Sequence, residues 1–472
     1  MEELKHDTVS GPMSEDEKVQ AAHAGRLAVA GAKIDPQFDQ ISEFQRHVRM
    51  EIESDRNPPW RPEVQELWDV IRVEPFVRMY AEMGIEQIRP MRRHFDTVKQ
   101  MLDAINYVTH TAPIFRDTSS ISWQFPLSAI MNFWMGTPAG KRLMRMPQFN
   151  DPMNKIMKAW CCFLDTEESR YVLNQDQYGW FQGYDLRDKP DSPAFKKSAW
   201  AYNKLDEYEV DMSKPYGGFP SYNAFFHRMI KKEERPISDP ESNRSICSPN
   251  DGVAWALQQF VQEEDAFWLK SQAYSMGNLL AQSEFTDRFV GGTVYQSYVN
   301  GGADWHGFSS PINGKLVGLE LITGYAWAES QVVGPDPMSG PYSQGWAAGV
   351  ATRGLVFIES DDEYAGLVCV VPIGLTEVSS LKWAEGLEVG QHLRKGDLLG
   401  NFSFGGSSFA MVFEPNAVRD YEVIPPTHGR NDQSDQTLYA NKRFAVAHTR
   451  EHIEYMRSAP LNARPNDGTT DF

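Results

Sequence analysis

Cysteine is scarce in this chain: four residues in 472, at positions 161, 162, 247 and 369. No C-x-x-C spacing occurs, which excludes zinc-ribbon and thioredoxin-type motifs. Reduced, buried thiols of a cytoplasmic protein are the expected state. Positive charge is also in deficit. Lys and Arg number 46 against 64 Asp and Glu, a formal net charge of -18. Such a surface repels the phosphates of nucleic acid. No polybasic cluster is present to dock on anionic lipid, since Lys231-Lys232 is followed at once by Glu233-Glu234. The longest apolar run, near residues 365–375, contains Pro372 and is too short to span a bilayer. The N-terminus opens with acids rather than a basic and then apolar stretch, so neither a secretory signal nor a mitochondrial presequence is expected. H-E-x-x-H, the phosphate-binding G-x-x-x-x-G-K-[ST] and a dinucleotide fingerprint after a strand are all missing. So is a Ser-x-His-Lys stretch for a lysine-bound pyridoxal phosphate.

What is present is a chain long enough for two or three domains, with the 41% hydrophobic and 23% charged content of an ordinary globular protein. Residues 1–60 are polar and read as a mobile tail with one short helix, closed by Asn57-Pro58-Pro59. Residues 61–180 show helical spacing and form one helical domain. Val64, Leu67, Val70 and Ile71 fall on one face, as do Val98, Met101, Leu102 and Ile105. From Lys214-Pro215-Tyr216-Gly217-Gly218 the character changes. Residues 214–425 carry short β-branched runs between turn residues, including 291–299 and 366–371, and read as strands. The Lys395-Gly396-Asp397 turn resembles the hammerhead turns of lipoyl-type half-barrels. Residues 426–472 are polar and read as an irregular extension with one helix near 444–456. The fold class is α+β, a helical N-terminal domain packed on a β-rich domain.

The chemistry is concentrated at Phe404-Gly405-Gly406-Ser407-Ser408-Phe409. Alone this is ordinary turn sequence. A Gly-Ser bond between apolar strands can also cut itself. The Ser407 hydroxyl attacks the Gly406 carbonyl, elimination releases the upstream chain, and hydrolysis leaves a pyruvoyl group at residue 407. That group is an electron sink, so the chain would make its own cofactor. Gly406 has no Cβ to obstruct the approach. Two more segments stand upstream. Cys247-Ser248-Pro249-Asn250-Asp251-Gly252 is turn chemistry by itself. Trp305-His306-Gly307-Phe308-Ser309-Ser310-Pro311-Ile312-Asn313-Gly314 holds a histidine beside aromatics, ordinarily a packed one.

The order of these three segments is far more specific than any one of them. Together with Phe225-Phe226-His227-Arg228 and Arg235-Pro236, it resembles the phosphatidylserine decarboxylase family of pyruvoyl-dependent, self-processing enzymes. The resemblance runs from about residue 215 to 414. Within the family the chain looks most like the soluble fungal, tryptophan decarboxylase-like branch. Residues 402–410, the segment Ile373-Gly374-Leu375-Thr376-Glu377-Val378-Ser379 and the helical region point there. Lipid-acting members have an uncharged residue in place of Glu377.

The resemblance implies roles residue by residue. Ser407 becomes the pyruvoyl group, Gly406 supplies the cut carbonyl, and Asp251 matches the family's triad aspartate. His306 matches the first His of the family's His-x-x-His segment, associated with decarboxylation. The second His, the usual processing base, is replaced here by Ser309, and a hydroxyl is a poor base near neutral pH. Either His306 takes over, or processing is slow, or the chain is a degenerate homologue. Glu377 is placed near the substrate's ammonium or a ring N–H, with a surface strand position as the alternative. The implied activity is decarboxylation of a free, aromatic L-amino acid, with phosphatidylserine as the alternative substrate. The partners implied are that small molecule and the two fragments of the chain itself, which stay associated. A homodimer is compatible with this reading, and the location is cytoplasmic.

Overall fold

The computed structural model describes residues 36–54, 56–115, 123–176, 178–181, 205–264, 274–299, 305–325, 344–375, 377, 381–425 and 437–458. The first part is helical: α1 (Pro36–Glu53), α2 (Pro62–Val73), α3 (Pro75–Gln87), α4 (Val98–Thr109), α5 (Pro126–Met135), α6 (Pro138–Leu143) and α7 (Pro147–Leu164). Proline opens α2, α3, α5, α6 and α7. Its fixed φ suits the first turn, where its missing N–H would have no helical partner anyway. The opening of α4 instead carries a reciprocal cap between Thr97 and Gln100. The apolar stripes expected from spacing face the core: Val64, Leu67 and Ile71 on α2 are buried and Val70 is half-buried, while Val98, Met101, Leu102 and Ile105 on α4 are all buried. Residues 1–60 hold more helix than expected, because α1 alone is 18 residues long. The remainder of the expected tail, residues 1–35, lies outside the described residues.

A short helix, α8 (Tyr222–Phe226), leads into the strands. These are β1 (Ser245–Cys247), β2 (Gly252–Val261), β3 (Gly292–Tyr298), β4 (Gly307–Ser309), β5 (Gly314–Ile322), β6 (Arg353–Ser360) and β7 (Leu367–Gly374). They continue with β8 (Leu381–Trp383), β9 (His392–Leu393), β10 (Leu398–Phe402), β11 (Ser407–Phe413), β12 (Val418–Tyr421), β13 (Thr437–Leu438) and β14 (Arg443–Ala447). Eight of them form one sheet in the order β13-β2-β3-β11-β7-β6-β5-β9. Two small sheets, β1-β14-β12 and β4-β10-β8, flank it. The protein is α+β, as its sequence implies. Side chains alternate across the main sheet. On β11, Phe409, Met411 and Phe413 join a core shared with the helices, while Ala410 and Val412 face a second cluster with Leu279 and Ala348.

In the C-terminal extension, residues 437–458 form regular structure, and the rest of 426–472 lies outside the described residues. Phe444 lies in β14, paired with β1 and β12, and the helix begins only at Arg450. The pairing joins β14 to a strand nearly 200 residues earlier, and local periodicity carries no trace of such a partner.

Candidate active site

The strand β10 runs into Ser403-Phe404-Gly405-Gly406 and emerges as β11 at Ser407. Gly405 takes φ +141°, a conformation open to glycine. The Gly406 carbonyl accepts a hydrogen bond from the Leu375 N–H at 2.9 Å. Leu375 follows the end of β7, where Gly374 is the register partner of Ser407. On the other side, the Val299 N–H donates to the Ser407 carbonyl at 3.0 Å. The Gly406-Ser407 bond is therefore held between two neighbouring strands. Ser407 is buried, and its hydroxyl donates to the Gly405 carbonyl at 3.4 Å, one peptide short of the carbonyl it would attack. A donor already aimed at the Gly406 oxygen would stabilise negative charge developing there.

The segment before the bond is pinned by the helices. Phe404 stacks on Phe125 at 5.9 Å and meets Trp160, Tyr222 and Phe226 edge-on at 5.3–5.5 Å. Its N–H donates to Asn223 Oδ1 at 3.0 Å, and the Asn223 amide in turn donates to Asp165. His306 belongs to the same neighbourhood. Its ring centroid lies 3.9 Å from that of Phe226, and its carbonyl accepts from the Phe402 N–H at 2.9 Å. Through β4 and β10, His306 thus flanks the strand that enters the Gly-Gly-Ser segment.

Asp251 precedes Gly252 at the start of β2. Two strand spacings, on the order of 10 Å, separate that position from Ser407. Asp251 is fully buried. Arg235 grips both of its oxygens, Nε to Oδ1 at 2.9 Å and Nη2 to Oδ2 at 2.7 Å, and the Ala440 N–H adds a third bond at 2.8 Å. Ser309 is also buried. Its hydroxyl lies within reach of the Pro249 carbonyl at 3.2 Å and of Asn441 Oδ1 at 3.3 Å. Ser309 and the Asp251 turn are thus brought side by side, with Arg235 occupying the carboxylate that an imidazole would otherwise orient on. Removing one partner of such a buried pair strands the other charge, at about 3–5 kcal/mol. Arg235→Ala, made on an uncut Ser407→Ala chain so that unfolding concerns one polypeptide, is expected to lose that much in urea unfolding. An unchanged midpoint would show that the pair contributes nothing net.

Glu377 is not a surface strand residue. It lies beyond β7, buried, with φ +64°. Its Oε1 accepts a hydrogen bond from the Ser128 N–H in the first turn of α5. Burial pushes its carboxyl up to about 8, against the opposing pull of the Ser128 and Leu127 N–H groups. Oε2 has no hydrogen-bond partner among the described residues.

Sequence reasoning did not assign Arg235, Asn223 or Leu375 a place in the site. Arg235-Pro236 was visible as a motif, whereas a backbone N–H leaves no mark in residue type. Among the described residues no cluster of His, Cys, Asp and Glu is arranged to hold a metal ion, and no helix is long and apolar enough to cross a membrane.

The sequence that builds this site is similar to that of known proteins. Two family models, each described as phosphatidylserine decarboxylase, match residues 61–188 and 222–427. The chain is 32% identical to decarboxylase iboD of Amanita muscaria, over 62% of this chain and 84% of that protein. The chain belongs to the phosphatidylserine decarboxylase family. It is 29% identical to the L-tryptophan decarboxylase of Psilocybe cubensis, over 74% of this chain and 79% of that one. It is 32% identical to the phosphatidylserine decarboxylase proenzyme 3 of Schizosaccharomyces pombe, over 49% of this chain and 22% of that protein. This member of the family is accordingly a decarboxylase, a carboxy-lyase, and enzymes of the family in general depend on a pyruvoyl group.

Proposed function

We propose that this decarboxylase cuts itself between Gly406 and Ser407, carries a pyruvoyl group made from Ser407, and acts in the cytoplasm on a free, aromatic L-amino acid. The observation that carries the reading is the Gly406 carbonyl, held by the Leu375 N–H beside a buried serine at the start of β11. In the first step Ser407 Oγ bonds to the Gly406 carbon, the C–N bond breaks, and the nitrogen takes the hydroxyl proton. In the second the Cα proton leaves, the Cβ–O bond breaks, and Gly406 departs as a carboxylate. The dehydroalanine at 407 then takes up one water and loses ammonia. The two fragments, residues 1–406 and 407–472, stay associated. The finished group supplies an electron sink for the carbon that loses CO2. His306, packed on Phe226 beside β10, returns the proton, and Asp251, fixed by Arg235, holds the turn against Ser309. Glu377 takes the substrate's ammonium or ring N–H on Oε2; a cation there would offset the burial that raises its pKa.

The substrate class is supported by the relatives named as L-tryptophan decarboxylases and by the -18 net charge, which disfavours an anionic bilayer. The test is intact mass followed by CO2 release. The purified chain should resolve into two fragments, the smaller starting at residue 407 with a blocked N-terminus. CO2 should be released from tryptophan, tyrosine or phenylalanine in preference to phosphatidylserine in mixed micelles. Turnover of the lipid alone would place the chain with the phosphatidylserine decarboxylases. A chain that stays whole after long incubation would mark a non-catalytic homologue.

A further inference from the structure

The start of α5 lacks a cap of its own. Its N-cap residue is Phe125, which has no side-chain acceptor, so the N–H groups of the first turn need a partner from elsewhere. That partner is Glu377, 249 residues away in sequence, which accepts from Ser128 at the third helical position, the place where a local cap would accept. Two features make this more than helix capping. Leu375, two residues before Glu377, is the donor to the Gly406 carbonyl. Phe125 itself stacks on Phe404, two residues before Gly406. One helix start therefore grips the segment that supplies the hydrogen bond and the segment that carries the carbonyl receiving it.

We propose that Glu377 is a positioning residue for self-cleavage: by capping α5 it fixes Leu375 against the Gly406 carbonyl, so that the helical region sets the geometry of the cut. The proposal rests on the self-processing reading above. Glu377 at φ +64° sits in a backbone region unfavourable to a side chain, and a residue so placed persists only while its contacts hold it. The cap provides that hold, and the Phe125–Phe404 stack holds the segment that carries the carbonyl. Losing a donor aimed at a developing oxyanion costs about 10²–10³ in rate, and loosening one costs part of that.

The experiment is the rate of fragment formation in freshly folded protein, followed by denaturing gel and intact mass. Glu377→Ala is expected to slow the cut by about 10-fold or more. Glu377→Gln keeps an acceptor oxygen at the same reach and is expected to restore the rate to within about 3-fold of wild type. A merely structural loss would not be repaired in this way, and melting temperatures of the same variants on the Ser407→Ala chain separate stability from rate. Should the alanine variant not fold, Glu377→Asp, one methylene short of Ser128, is held to the same expectation of slow cleavage. Equal rates for wild type and Glu377→Ala, or a glutamine variant as slow as alanine, would overturn the positioning role and leave self-processing intact. A wild-type chain that never cuts would overturn both.

Discussion

Ser407→Ala is expected to leave the chain whole, with no fragment beginning at residue 407 after any length of incubation. The hydroxyl is the only group at that position able to take the acyl group from nitrogen, and alanine offers nothing in its place. The neighbouring serine gives the control. Ser408 points to the opposite face of β11, where its hydroxyl donates to the Ser297 carbonyl at 2.9 Å and accepts from Gln296 Nε2 at 2.9 Å. Held on that face, it has no path to the Gly406 carbonyl, so Ser408→Ala should still cut. The measurement is intact mass of both variants after identical incubation. Cleavage in Ser407→Ala, or its loss in Ser408→Ala alone, would move the chemistry away from residue 407.

The sequence made some parts of this arrangement plain and hid others for physical reasons. Strands near 291–299 and 366–371 were legible because β-branched runs bounded by glycine turns state their conformation locally, and β3 and β7 occupy them. The stripes of α2 and α4 were legible because a helix repeats every few residues. Ser407 stood out because a Gly-Ser pair between apolar strands has a particular chemistry. The rest depends on partners far away in sequence. Nothing local says that Asp251 is gripped by Arg235, that β14 joins β1, or that Glu377 caps α5. Each is a contact between residues whose separate neighbourhoods look unremarkable.

His306→Ala is expected to reduce decarboxylation by about 10²–10⁴-fold, the usual contribution of a positioned acid or base. It is expected to slow the cut as well. The reason lies at Ser309, where the family places a second imidazole. Ser309 is buried, with its hydroxyl already between the Pro249 carbonyl and Asn441, so a side chain the size of histidine has to displace Asn441. Ser309→His should therefore change the cut little, since His306 already places an imidazole beside β10. Fragment formation and CO2 release, measured separately, check both expectations. Hydroxylamine refines the first, because it cleaves an ester. A His306→Ala chain that accumulates hydroxylamine-sensitive material has stalled at elimination, and one that does not has stalled at the first attack. Wild-type rates of both cutting and CO2 release in His306→Ala would remove this histidine from the chemistry.

β11 lies inside the main sheet, between β3 and β7, and is buried along its whole length. A cut at its first residue would leave the fragment 407–472 supplying that interior strand, the edge strand β13, and two of the three strands of a flanking sheet. The finished protein would then be a two-chain object that only a one-chain ancestor can assemble readily. Before the cut, β11 finds its place as part of a tethered chain. Afterwards, refolding from denaturant needs two polypeptides to meet and one to insert between strands that have no reason to stay apart. Its endurance would be a matter of how slowly it comes undone, since the route by which it was made is closed behind it.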